Sequence, residues 1–237
     1  IEAAKEIMRR HPHVKSVLLK AGAREGDFRV RPLRLLVGSE DTEVIHKEHG
    51  YRIKLDPRYV YFSPREATER QLIAEQVRDS EFVLVMFAGV GPYAIAIAKR
   101  KDAQVVGIEL NPRACKYFQE NVLLNRVDCK VFPIEGDVAF VTPAMYGRFD
   151  RVVMPLPKGA YMFIPYALRA LRNGQGMIHF YYWGGEDAVE RAESMFRDEA
   201  MKMGLEVTSV GFRIVSSYAP RIFKIRIDFS VIPARIK

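Results

Sequence analysis

Apolar residues change their spacing part-way along the chain. Up to residue 62 they alternate with polar ones in short stretches, at 16–20, 27–31, 43–46 and 51–55, with Gly22, Gly26, Gly38 and Gly50 between them. A period of two predicts half-buried strands, and the glycines mark the turns. A short helix over 3–10 precedes them, so residues 1–62 read as a small α+β unit. Residues 68–79 place Leu72, Ile73 and Val77 among polar residues, with Glu69 and Arg70 in the first turn. This pattern predicts a connecting helix, within a 63–80 linker, into a second domain over 81–237.

From Phe82 onward, short apolar runs alternate with amphipathic segments. Strands are predicted at 82–87, 105–109, 130–134, 151–154 and 177–182, and helices at 93–100, 112–124, 161–172 and 187–203. Alternation of this kind predicts an α/β fold, a mostly parallel sheet covered on both faces. Two consecutive strands, 206–213 and 223–231, close the chain. They suit the class I Rossmann-like methyltransferase fold, whose seven-stranded sheet takes its last strand antiparallel, rather than a dinucleotide dehydrogenase. No internal repeat is visible.

Composition narrows the class of protein. About half of the 237 residues are hydrophobic, enough for a buried core. No apolar run is long enough to span a bilayer. The opening residues, Ile1-Glu2-Ala3-Ala4-Lys5, lack a signal-peptide pattern, and a start on Ile rather than Met implies sequence upstream. Cys115 and Cys129 are too few for a disulfide framework and read as reduced core thiols of a cytoplasmic protein. His46-Lys47-Glu48-His49 lacks the spacing of a helical zinc site and reads as part of a solvated strand, so no metal is expected. Lys and Arg outnumber Asp and Glu by 37 to 29. The excess gathers at 9–34 and 52–70, which favours a polyanionic partner.

The chemistry centres on Phe87-Ala88-Gly89-Val90-Gly91-Pro92-Tyr93. A strand delivering Gly89-Val90-Gly91 to a helix start lets the backbone approach a ligand closely, because glycine has no Cβ. Glu109 ends the next strand, where a carboxylate can accept both ribose hydroxyls of an adenosine, with Leu110 and Asn111 beside it. Gly136-Asp137-Val138 follows the third strand, and Asp137 is placed to accept an adenine amino group. Met154-Pro155-Leu156-Pro157 follows the fourth, where amino and ring-nitrogen methyltransferases carry their acceptor motif. A nucleoside triphosphate is disfavoured by the absence of a Lys-Ser pair. NAD is the alternative ligand, against which stands Pro92-Tyr93 where a third glycine belongs. These residues favour S-adenosylmethionine.

The chain resembles the archaeal and eukaryotic tRNA guanine-37 N1-methyltransferases, which act in wyosine-type base synthesis. The resemblance runs through Gly26-Asp27-Phe28-Arg29-Val30-Arg31, His46-Lys47-Glu48-His49-Gly50, Tyr61-Phe62-Ser63-Pro64-Arg65 and Thr68-Glu69-Arg70. It continues through the glycine loop, Ile108-Glu109-Leu110-Asn111-Pro112, Met154-Pro155-Leu156-Pro157 and Ser217-Tyr218-Ala219-Pro220. Family members also carry a small N-terminal domain that grips the tRNA, which is not within this sequence. The resemblance implies a tRNA anticodon stem-loop as substrate and a flipped guanine; with no heptad pattern or large apolar patch in the sequence to demand a dimer, a monomer is expected. It places Glu69 as the base for the N1 proton and Arg29 as the cation at O6, with Pro157 shaping the acceptor pocket. Both residue types suit the reaction. Without the resemblance, Glu69 would read as an acid favoured by a helix N-terminus and Arg29 as a surface cation. Tyr61, Arg65 and Arg70 match family positions near the cofactor, where the arginines would engage a phosphate or the methionine carboxylate.

Two residues depart from the family pattern. Pro155 stands where the acceptor motif usually has Asn, so the amide hydrogen bond is absent or replaced. Val85 stands where an acidic residue is common. The rival activities are aminocarboxypropyl transfer from the same cofactor, disfavoured by Arg65 and Leu156-Pro157, and a bifunctional enzyme that also methylates the imidazoguanine intermediate. A silent tRNA-binding protein is disfavoured by the joint presence of Arg29, Glu69, Glu109 and Asp137.

Overall fold

The computed structural model describes the chain apart from residues 23–25, 27, 29, 236 and 237, and apart from the side chain of Tyr218. Helix α1 (Glu2–Arg10) precedes the antiparallel pair β1 (Ser16–Lys20) and β2 (Leu33–Gly38). A second antiparallel hairpin follows, β3 (Val44–Glu48) and β4 (Tyr51–Leu55), and then α2 (Ala67–Gln76). The alternating core consists of β5 (Phe82–Met86), α3 (Pro92–Arg100), β6 (Gln104–Glu109), α4 (Pro112–Leu124), β7 (Val131–Glu135) and the single turn α5 (Val138–Val141). It continues through β8 (Arg151–Met154), α6 (Ile164–Ala170), β9 (Gly176–Gly184) and α7 (Ala188–Met201), and ends with β10 (Leu205–Ala219) and β11 (Ile222–Pro233).

The seven-stranded sheet has the order β10-β11-β9-β8-β5-β6-β7. Strands β9, β8, β5, β6 and β7 pair in parallel, and β11 inserts antiparallel between β9 and β10. Phe-Val-Leu-Val-Met in β5 and Arg-Val-Val-Met in β8 are almost wholly buried, as strands covered on both faces must be. One face packs Val83, Val85 and Val105 against Ile95, Ile97 and Phe118. The other packs Leu84, Met86 and Ile108 against Leu168 and Phe196. Helix starts follow local chemistry: Asn111 caps α4 by accepting from Arg113 N, and Pro112 occupies the first turn, where its missing N–H costs nothing.

The β3–β4 hairpin is built into this body. Tyr51, Ile53 and Leu55 share a core with Val83 and Tyr93, and Asn121 and Asn125 of α4 pair with the backbone of β4. Asn121 accepts from Lys54 N (2.6 Å) and donates to Lys54 O (2.9 Å), while Asn125 accepts from Arg52 N (2.8 Å) and donates to Arg52 O (2.6 Å).

Several expected elements shift. The strand expected at 27–31 lies partly outside the described residues, and its described part holds only a bridge at Val30. The partner of β1 is β2 instead, which starts directly after Pro32. The helix expected over 161–172 is a 3-10 turn at Ala160–Phe163 followed by the shorter α6, with Pro165 in its first turn. Strand β10 runs six residues beyond its expected end because β11 pairs with it along its length. Cys129, expected in the core, is exposed. No helix among the described residues is long and apolar enough to cross a membrane.

Candidate active site

The loop after β5 bends sharply. Phe87 takes a left-handed φ of 56°, which is costly for a side chain with a Cβ. Its ring packs edge-on against Phe163 at 4.9 Å. Ala88 N donates to Ile108 O (2.8 Å) and Gly91 N to Ala88 O (3.0 Å), closing the turn before α3. Gly91 is also left-handed, at 85°, and a Cβ there would strike the ring of Phe118. Gly89 differs: a Cβ on it would meet nothing nearer than the Tyr61 carbonyl at 4.0 Å, so its face is open to a ligand. Asn121 donates a further N–H to Val90 O (3.0 Å), which fixes the loop from below.

Glu109 faces this loop. Its Oε2 accepts from Gly89 N (2.7 Å) and its Oε1 from Asn111 N (2.8 Å). Burial raises its pKa, and the backbone donors oppose that rise. Asn111 in turn donates to Tyr59 O (3.1 Å). Asp137 caps α5 through Oδ1, which accepts from Ala139 N (2.7 Å), with Val138 buried behind it. The open face at Gly89, the oriented carboxylate of Glu109 and the carboxylate of Asp137 after the third parallel strand fit an adenosine-bearing cofactor. Pro155, Leu156 and Pro157 follow β8 and are half-buried, with Leu156 packed on the core. Val85 is fully buried among apolar neighbours.

Glu69, in the first turn of α2, is only 3% exposed. Its Oε1 accepts from Tyr181 (2.7 Å) and from Arg226 Nη1 (2.5 Å), and Arg213 Nε lies 3.2 Å from Oε2. Tyr93, in the first turn of the helix that follows the glycine loop, donates to the Tyr181 hydroxyl (3.3 Å). Burial raises both phenols well above their ordinary range, so both stay protonated. A buried row extends from here. Arg226 Nε lies 2.9 Å from Asp228, and Asp228 accepts from His179 Nδ1 (2.6 Å). His179 Nε2, left as an acceptor, takes an N–H of Arg151 (2.7 Å), which also pairs with Glu81.

Arg70 does not line the cofactor face as expected. It is 2% exposed and forms a two-pronged pair with Glu48, 2.6 Å on each prong, and donates to Ser63 O. Glu48, expected on a solvated strand, is therefore a buried anion that also accepts from Tyr51 and contacts His46. Arg70 and its other partners hold its pKa below the ordinary value against the effect of burial. Arg65 is exposed and has no ion-pair partner among the described residues. Tyr61 is exposed, with its hydroxyl 3.5 Å from Glu66. Arg29 lies outside the described residues. The structure adds Tyr93, Asn121, Tyr181, Arg213 and Arg226 to the site. Asn121 and Asn125 carried a readable signal, two amides four residues apart on the apolar face of a helix.

The match for the TRM5/TYW2 methyltransferase domain covers residues 44–208, from the β3–β4 hairpin into β10. This chain belongs to that family. A tRNA (guanine(37)-N(1))-methyltransferase Trm5b of Pyrococcus abyssi is 41% identical over 231 residues, covering 97% of this chain and 68% of the relative. The solved complex of aTrm5 and tRNALeu superposes with a TM-score of 0.84 at 36% identity, covering 95% of this chain and 63% of that one. The TYW2 of M. jannaschii in complex with AdoMet gives 0.79 at 32% identity, covering 86% and 91%. The TRM5/TYW2 domain thus includes the β3–β4 hairpin, in keeping with the core that the hairpin shares with the large sheet.

Proposed function

We propose that this chain is the catalytic part of an S-adenosylmethionine-dependent tRNA (guanine-37 N1)-methyltransferase. The observation that carries this reading is the hydroxyl relay from Tyr93 through Tyr181 to Glu69, which ties a buried carboxylate to the helix that starts at the glycine loop. The cofactor, when bound, supplies an electrophilic methyl group on a sulfonium. Gly89 and Val90 would lie along it, Glu109 would hold its ribose and Asp137 its adenine, with Phe87, Ala88, Gly91, Leu110, Asn111 and Val138 shaping the walls.

The chain's own residues then handle the proton. Guanine N1 carries a hydrogen whose pKa lies well above neutrality, so its lone pair is unavailable until a base removes that hydrogen. Glu69 serves as that base. Tyr181 and Arg226 hold its Oε1, which aims the carboxylate in a buried setting. Arg29 follows the family role at O6, and Pro155 and Pro157 shape the wall on which the base rests. Exposed Arg65 is available to a tRNA phosphate, whereas Arg52, Lys54 and Arg58 are engaged with Leu124, Glu120 and Glu40.

Incubation with labelled cofactor and tRNA transcripts carrying guanine or adenine at position 37 tests the assignment. Label is expected on the guanine transcript alone, and label on the adenine transcript alone would overturn it. The mass of the modified nucleoside separates a methyl group from an aminocarboxypropyl group.

A further inference from the structure

Arg226 stands between two buried carboxylates. Its Nη1 reaches Glu69 Oε1, while Nε and Nη2, the side fork of the guanidinium, face Asp228. Nε lies 2.9 Å from Asp228 Oδ1, and Nη2 donates to Oδ2 at 3.2 Å. Arg226 and Asp228 sit two apart on β11, so both project to the face that carries Tyr181 and His179 of β9. Asp228 is itself fixed. His179, wholly buried, donates from Nδ1 to Oδ1 at 2.6 Å, and Gln76 Nε2 of α2 lies 3.5 Å from Oδ2. Burial holds His179 below the ordinary imidazole range, so at neutral pH it orients Asp228 without cancelling its charge. Glu69 Oε2, by contrast, is buried and accepts no aligned hydrogen bond, a rare state for a carboxylate oxygen.

We infer that Asp228 is a positioning residue for the base: by filling the side fork of Arg226 it confines that arginine to one oxygen of Glu69 and keeps Oε2 free for the proton. The inference rests on the reading of Glu69 as the base. A guanidinium beside a carboxylate favours the two-pronged pair that occupies both oxygens, as Arg70 and Glu48 form in this same protein. Arg226 does not form that pair with Glu69, because its fork is already taken by Asp228. With both oxygens bound to one cation, Glu69 would be a weaker base and would have no lone pair left for the substrate. In the transfer step, Oε2 takes the N1 proton and the N1 electron pair forms the bond to the methyl carbon. The carbon–sulfur pair stays on sulfur, leaving a neutral thioether. Asp228 exchanges nothing in that step and acts only through Arg226.

Single-turnover methylation of a guanine-37 transcript at saturating tRNA and cofactor, with both Kd values and the Tm measured, tests this. Asp228→Asn is expected to lower the saturating rate about tenfold, with both Kd values within about twofold of the parent. Adding Arg226→Met to Asp228→Asn removes the freed guanidinium and leaves Tyr181 to hold Oε1. The double variant is expected to run at least about threefold faster than Asp228→Asn alone. A residue that only supports the fold would give the reverse, since a second loss in the same buried row adds damage. A parental rate in Asp228→Asn overturns the inference, as does a double variant no faster than Asp228→Asn, or a loss carried by the Kd values. If Asp228→Asn fails to fold, the double variant is compared with Arg226→Met alone. Equal rates within about twofold are then expected, and a further loss in the double variant overturns the inference. Glu69→Gln separates the two readings. If it keeps the parental rate, the base assignment fails and this inference with it; if it is inactive while Asp228→Asn is fully active, only the role of Asp228 fails.

Discussion

Both oxygens of Glu109 are taken by backbone N–H groups, one from Gly89 in the glycine loop and one from Asn111 at the start of α4. Such fixed donors orient the carboxylate before any ligand arrives, so ribose hydroxyls meet lone pairs already in place. Glu109→Ala is expected to weaken S-adenosylmethionine binding by about 1.5–3 kcal/mol, the worth of hydrogen bonds to a charged group. That is about 10- to 100-fold in Kd by calorimetry; an unchanged Kd would remove Glu109 from the ribose. This residue was readable in the sequence because the strand, the acid and the Asn-Pro helix start lie in one short stretch. Arg213 and Arg226 were not. Their meaning depends on which strand pairs with which, and in what register, and alternation along a strand carries no information about that.

Asn121 does the same kind of work between elements. One side chain satisfies Lys54 N, Lys54 O and Val90 O, so α4 binds the hairpin edge and the cofactor loop at once. Asn121→Ala leaves three backbone groups without that partner and is expected to lower stability by about 3 kcal/mol or more, from about 1–3 kcal/mol per orphaned group. Urea unfolding checks the size. A cofactor Kd that weakens in the folded variant checks the link to Val90, and full stability would show that the hairpin docks by its apolar face alone. Element type was legible where burial is two-sided, as in β5 and β8, and where capping chemistry is local, as at Asn111-Pro112. It was less legible at β2, where Pro32 sets the start, and in β10, whose length is set by the partner strand and not by its own pattern.

Across the whole molecule, the buried ion pairs share one response to acid. Glu48 and Asp228 have lowered pKa values because cations and hydrogen bonds outweigh burial, and His179 is lowered chiefly by burial. Each of the three binds protons more readily unfolded than folded, so each adds stability above its unfolded pKa that is lost as pH falls through the folded one. Glu109, raised by burial, acts in the opposite direction. His179 gives up its share below about pH 6.5 and the two carboxylates theirs at and below about pH 4, so the Tm is expected to fall most steeply below about pH 4. A scan of Tm against pH checks it, and a flat profile would refute the balance. The overall excess of positive charge was plain in the sequence, but its placement was not: Lys54, Arg58 and Arg70 of the 52–70 stretch pair with carboxylates of the protein, while Arg52 and Arg65 are exposed.

The insertion of β11 between β9 and β10 has a consequence for the order in which the protein comes into being. The glycine loop, Glu109 and Glu69 are synthesised before Arg226, and β10 has no neighbour in the sheet until the later strand β11 slides in. A nascent chain can therefore shape its cofactor half before Arg226 arrives to clamp Glu69. A message cut short before Arg226 would yield a product with the glycine loop and Glu109 but with Glu69 stripped of its buried cation.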